Sequence, residues 1–328
     1  MLRRAGLAIL AALLLAAPAR AGTWEVPRVP LGVALAGDRV VWLEPHAHAR
    51  RADLYVARAG HESRRVQVLP AGDALGLAAS GSTVAVLLRG PGGVQVMAGR
   101  AGSPLEPIAT CAAALADPSV DVSDRLVAFT GCGAGVVVRD LDGARPDAVP
   151  GSHARSVQIA GRYVAWVRRG GRRVVVHDLR HGGTSYEVGA AGVRSLALQD
   201  NGKVAFGLDA NETGSEGLEV LGWATRRKPT VHALHMANRF SYYPRMAGGQ
   251  VVFGRAAVKA TESEGREVGI TDLWSGHVLI LSRHLTDVTS VDFDGETIAY
   301  AERRRGDGAR IRTQAAPEPE PPPSEPAR

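Results

Sequence analysis

One short strand pattern recurs seven times in this chain at a spacing near forty residues, and each copy holds up to four strands joined by tight turns. These two observations predict an all-β fold, a seven-bladed β-propeller of four-stranded antiparallel blades. A third concerns the ends. The last copy lacks a fourth strand, and residues 24–26 form a strand-like segment with no copy of their own. The ring is therefore expected to be closed by the N-terminal strand, which removes the exposed edges of an open sheet.

The clearest copy is 156–183. Val157 and Ile159 alternate with polar or small neighbours and suit a short strand. Gly161-Arg162 makes a turn. Residues 163–167 are a β-branched and aromatic run, the composition of a well-packed strand. Residues 168–173 form a polar, Gly-containing turn, and Val174-Val175-Val176 a third strand. In 178–182 Asp can bond its own backbone and Gly can take positive φ, so the chain turns again. Residues 185–188 complete the meander. A lone meander cannot bury both faces and needs neighbours of its own kind.

The second strand carries the repeat, as Val40-Val41-Trp42, Val84-Ala85-Val86, Val127-Ala128-Phe129, Val164-Ala165-Trp166, Val204-Ala205-Phe206, Val251-Val252-Phe253 and Ile298-Ala299-Tyr300. Successive middle residues lie 44, 43, 37, 40, 47 and 47 apart. A Gly precedes most copies: Gly37, Gly81, Gly161, Gly202, Gly248 and Gly295. The turn after the third strand recurs as Asp140-Leu141-Asp142-Gly143, Asp178-Leu179 and Asp272-Leu273. The second copy, 75–99, is the weakest, which leaves six blades as the alternative to seven.

The run Asp294-Gly295-Glu296-Thr297-Ile298-Ala299-Tyr300 resembles the repeat of TolB-type propellers, and 201–206 is a second match. The Pro that often precedes Asp-Gly in that family is missing from every copy. The resemblance covers nearly the whole chain after residue 21 and implies the propeller fold; a propeller serves binding, scaffolding and several chemistries.

At the start, Arg3 and Arg4 precede an apolar stretch, 5–18, and Ala19-Arg20-Ala21 supplies a small-x-small cleavage pattern. Residues 1–21 read as a secretory signal peptide cut before Gly22. The apolar core is short for a membrane span, and no Cys follows the cleavage site to make a lipobox. The expected location is periplasmic or secreted. The propeller is assigned to 22–313. The Pro- and Glu-rich run 314–328 reads as a disordered, extended tail.

The formal charge is +6, and three of the Arg leave with the signal. The remaining Arg alternate with Asp and Glu over many turns rather than forming one stripe with stacking aromatics, which argues against nucleic acid as a partner. Cys111 and Cys132 are an even pair in an exported chain; adjacent blades bring them within reach, so a disulfide is expected.

Catalytic signatures are missing: no Gly-x-Ser-x-Gly, His-Glu-x-x-His or Gly-x-x-x-x-Gly-Lys occurs. The run 290–297 comes near a sialidase Asp-box but reads as a turn. Ligand sites are expected where the second-to-third turns and the links between blades gather around the channel. Three segments there are candidates. His46 and His48 can share a metal, though a solvated loop is the better reading. Asp209, Asn211 and Glu212 offer oxygen ligands to Ca²⁺ without the ordered calcium-loop spacing. Arg239, Phe240, Tyr242, Tyr243 and Arg245 combine aromatics with Arg on a link, the best candidate for recognition. The expected role is non-catalytic binding or scaffolding in the bacterial envelope or outside the cell, without a cofactor, toward an unidentified protein or small ligand. The alternative is a hydrolase or lyase with a metal-assisted site at the channel mouth.

Overall fold

The computed structural model describes residues 21–46, 49–112, 118–133, 135–143, 147–149, 154–168, 170–181, 183–190, 192–209, 219–230, 232–233, 240–256, 266–273, 277–282, 287–304, 306 and 308–319. They form seven sheets of four antiparallel strands, with no helix among the described residues. The first strands of blades 1 to 7 are Gly32–Ala36, Asp73–Ser80, Val120–Ser123, Ala154–Ala160, Val193–Leu198, Phe240–Ala247 and Asp287–Phe293. The second strands are Arg39–Pro45, Thr83–Gly90, Leu126–Phe129, Tyr163–Arg168, Val204–Asp209, Gln250–Ala256 and Thr297–Arg303. Each carries one copy of the repeated motif.

The weakest copy still makes a full blade, and its first three strands, of eight residues each, are as long as any in the ring. Its second strand has Val86 where six others have an aromatic; Leu87 and Leu88 on that strand are fully buried instead. The seventh blade takes its outer strand from the start of the chain. Gly22–Val26 pairs antiparallel with Ala309–Ala315, from Gly22↔Thr313 to Val26↔Ala309. Glu25 accepts hydrogen bonds from Arg304 and Arg310 across this seam.

Burial explains why the second strands read as unbroken apolar runs. Seven buried clusters form, and each straddles two adjacent blades. Alternate residues of one strand go to opposite neighbours. Val164 and Trp166 pack against blade 3, while Tyr163, Ala165 and Val167 pack against blade 5. The aromatic of the motif is among the largest fully buried side chains in six blades: Trp42, Phe129, Trp166, Phe206, Phe253 and Tyr300.

The meander sorts the loops onto two faces. One carries the turns after the first and third strands; the other carries the second-to-third turns and the links between blades. The turn after the first strand needs a left-handed residue. Gly supplies it in six blades, and in blade 3 Asp124 takes it, at φ 51°. That substitution is why blade 3 shows no Gly at this point of the repeat. Asp140 and Asp178 accept backbone N–H two residues on, as the sequence reading of the other turn requires.

Cys111, at the end of the outer strand Glu106–Cys111 of blade 2, is bonded to Cys132, just past the second strand of blade 3. At the C-terminus the chain stays attached beyond Thr313. The strand runs to Ala315, Ala316 N–H donates to the Glu296 carbonyl, and Gln250 donates to the Pro317 carbonyl. Prolines forbid a donor but keep their acceptor, so this run can still be held.

Two stability outcomes follow. Trp24 is buried at the seam and its Nε1 donates to the His61 carbonyl at 2.9 Å. Trp24→Ala is expected to lose about 3–5 kcal/mol in denaturant unfolding. Replacing both cysteines by Ser removes a cross-link over 21 residues and is expected to cost about 3 kcal/mol under oxidising conditions. A wild type whose unfolding midpoint ignores reductant would contradict the second.

Candidate functional site

The first strand of each blade is a sheet edge facing the channel, so its outward N–H groups lack a ladder partner. At several seams a side chain of the neighbouring first strand supplies the acceptor. Ser119 Oγ accepts from Val157 N at 2.8 Å, Asp121 Oδ2 from Ile159 N at 2.7 Å and Ser123 Oγ from Gly161 N at 2.9 Å, joining blade 3 to blade 4. Ser290 Oγ accepts from Val33 N at 3.1 Å and Asp292 Oδ2 from Leu35 N at 2.7 Å, joining blade 7 to blade 1. The same Ser-Val-Asp triplet makes both stitches.

Strand register places one first-strand residue of every blade at a common level, opposite the middle residue of the second-strand motif. These are Ala34, Ala78, Asp121, Gln158, Ala197, Arg245 and Asp292. Three small residues and four polar ones share this rung. Arg245 Nε donates to Asp292 Oδ1 at 3.0 Å, linking blades 6 and 7.

From this rung a cavity of about 700 Å³ opens toward the first-to-second turns, lined by all seven blades. Its wall carries Asp121, Asp124, Asp200, Asp292, Asp294 and Glu296, with Arg245 the sole basic side chain among the described lining residues. Burial pushes the Asp121 carboxyl up to about 7; Arg245 and the backbone donors of Ile159 and Val122 pull the other way, and Asp292 adds to the rise. Asp292 is likewise raised by burial, against the pull of Arg245 and the N–H groups of Leu35 and Phe293. Asp294 caps its turn by accepting from Glu296 N and Thr297 N.

This cavity lies on the opposite face from the one the sequence reading favoured. Small residues at the first turns, such as Ala79, Gly81, Gly161, Ala247 and Gly248, leave the space that makes it. Of the recognition candidates, Phe240, Tyr242 and Tyr243 fall in the first strand of blade 6 rather than on a link, and Arg239 lies outside the described residues. Arg245 alone is placed in the channel, beyond a bulge between Tyr242 and Arg245. Asp209 ends the second strand of blade 5; Asn211 and Glu212 lie outside the described residues. His46 Nε2 bonds Asp53 Oδ1 at 2.8 Å, and His48 is outside. Among the described residues no three His, Cys, Asp or Glu side chains gather to hold a metal. Sequence reasoning missed Asp121 and Asp292. The signal was present: Ser-Val-Asp occurs twice, each time with its Asp seven residues before the motif's Ala.

Similarity in shape to solved propellers is clear. The propeller domain of the Trilobed protease from Pyrococcus furiosus superposes with a TM-score of 0.65 at 12% identity, covering 88% of this chain and 95% of that one. YCF48 bound to D1 peptide gives 0.61 at 6%, covering 92% and 97%. BamB from Moraxella catarrhalis gives 0.51 at 15%, covering 90% and 89%. At these identities the likeness establishes a WD40-like propeller fold alone. The Trilobed protease domain is described as an open velcro, whereas here the first and last strands are paired. The sequence matches no family profile and no curated protein.

The raised carboxyl has a pH signature. Folded Asp121 keeps its proton to about pH 7, while an unfolded Asp releases it near pH 4. Between those values the folded state binds more protons, so stability falls as pH rises. Asp121→Asn, which keeps an acceptor for Ile159 N, is expected to flatten the fall in a denaturation series across that window. An unchanged slope would place the titration elsewhere.

Proposed function

We propose that this protein is a non-catalytic binding or scaffold propeller of the TolB type, exported to the bacterial envelope or beyond it. One observation carries the non-catalytic reading. The two channel acids, half-buried Asp121 and buried Asp292, are committed to neighbouring backbone N–H groups, and Asp292 also to Arg245. Groups held this way join blades and are poorly free to exchange protons with a substrate. Export is supported by the leader-like residues 1–21 and by a disulfide, a bond that persists in oxidising compartments. The TolB-type reading rests on the Asp294-Gly295 and Asn201-Gly202 turns and the Ile/Val-Ala-aromatic strands that follow them. YCF48, a propeller of similar shape, was solved with a D1 peptide bound, a precedent for peptide binding on such a ring.

A second reading is a hydrolase or lyase. It is favoured by a carboxyl raised to about 7 in the wall of a large polar cavity, the kind of group that general acid–base chemistry uses.

Export predicts a chain that begins at Gly22 when recovered from periplasm or medium, checked by N-terminal sequencing; a cytoplasmic product with Met1 intact overturns it. Non-catalytic binding predicts a specific protein captured by crosslinking in envelope extracts, and no turnover on glycans or lactones. Turnover that Asp121→Asn abolishes, with no partner captured, replaces it by the second reading.

A further inference from the structure

The link face of the ring carries two features that the channel does not explain. Four large hydrophobic side chains stand exposed among the described residues, and three of them, Leu31, Val68 and Leu75, belong to this face in blades 1 and 2. Leu31 precedes the first strand of blade 1, with its N–H on the Leu43 carbonyl. Val68 ends the outer strand of blade 1. Leu75 sits in the bulge between Ala74 and Gly76, a device that re-aims a side chain.

Arginines rim the same sector. Gly72 N–H bonds the Arg50 carbonyl, and the Gly72 Cα lies against the backbone of Arg89 and Gly90. The segments bearing Arg50, Arg51 and Arg89 therefore lie together beside the strand that carries Leu75. Arg50 has Asp73 at 3.9 Å, and buried Asp53 serves His46 and Arg65. Arg51 and Arg89 are exposed and make no ion pair among the described residues. A second basic sector lies on blade 4. There Arg168 and Arg173 share Glu187, and exposed Arg172 makes no ion pair among the described residues.

We propose that this face docks on an anionic lipid surface. Leu31, Val68 and Leu75 enter the interfacial layer, and Arg51, Arg89 and Arg172 meet phosphate headgroups. Guanidinium groups match phosphate in charge and geometry, and aliphatics beside them add the apolar contact that peripheral binding uses. Aliphatic side chains cannot stack on bases, which disfavours nucleic acid. The two sectors occupy separate parts of one face of a flat ring, so a planar partner meets both where a small anion meets one. The inference is independent of the channel and of export.

Co-sedimentation with vesicles tests it, using phosphatidylcholine alone and phosphatidylcholine mixed with phosphatidylglycerol. Full-length chains are compared, so the pull of apolar residues 5–18 is common to all and is read from the neutral vesicles. Wild type is expected to prefer the anionic vesicles and to lose that preference in high salt. Arg51→Gln with Arg89→Gln is expected to lower the anionic partition coefficient about 30-fold, and Leu31→Ser with Leu75→Ser at least about tenfold. Arg100→Gln with Arg226→Gln, on the opposite face, is expected to change nothing. Tryptophan fluorescence confirms that each variant is folded. Equal binding to both vesicle types, equal losses from either face, or retention on an oligonucleotide column without vesicle binding would each overturn the proposal.

Discussion

A sheet whose two faces are both apolar has no stable place in water, and that constraint organises this molecule. Each blade can hide one face on the blade before it and the other on the blade after it, and nothing else in the fold covers them. The second strands sit at the centre of this arrangement, with both sets of alternate side chains buried. Any gap in the circle would expose two such faces at once. The N-terminal strand closes the last gap, and Trp24 carries its contribution into the cluster that joins blade 7 to blade 1.

Packing faces together leaves the inner edges to be dealt with. Seven first strands meet around the axis with outward N–H groups that a ladder would normally satisfy. Serine and aspartate from the neighbouring blade do that work at two seams, one of them the seam beside the closing strand. The solution has an electrostatic side effect. Carboxyls placed where the chain crowds around a narrow channel lose hydration, and neutral amide donors restore only part of it. Arg245 partners one of the two directly. The channel therefore gathers acidity at the same level at which it holds the ring together.

Much of the architecture was legible because it leaves a local mark. The motif aromatic, the turn glycine and the Asp-Leu after the third strand each answer a need within a few residues of chain. Leu141, Leu179 and Leu273 do pack into the clusters between blades. Even the blade 3 exception makes sense, since Asp tolerates the left-handed turn better than most residues. The channel was less legible because its partners are distant and anonymous. Asp121 and Asp292 bond backbone N–H groups 38 and 257 residues away, and a backbone donor has no letter in the sequence. Arg245 drew attention for its aromatic neighbours, yet what fixes its side chain is Asp292. Which face would hold the cavity depended on where small residues leave space, a property of the assembled ring.

The closing strand also sets how the molecule answers tension. Gly22 pairs with Thr313 and Val26 with Ala309, so both chain ends leave from the same side of the seam. A pull between the termini loads the ladder one rung at a time and peels it, where opposed ends would have loaded every rung together. The anchors of Ala316 and Pro317 to blades 7 and 6 stand in front of that ladder and must yield first. A ring held together by seven packed interfaces can thus be opened mechanically at one place.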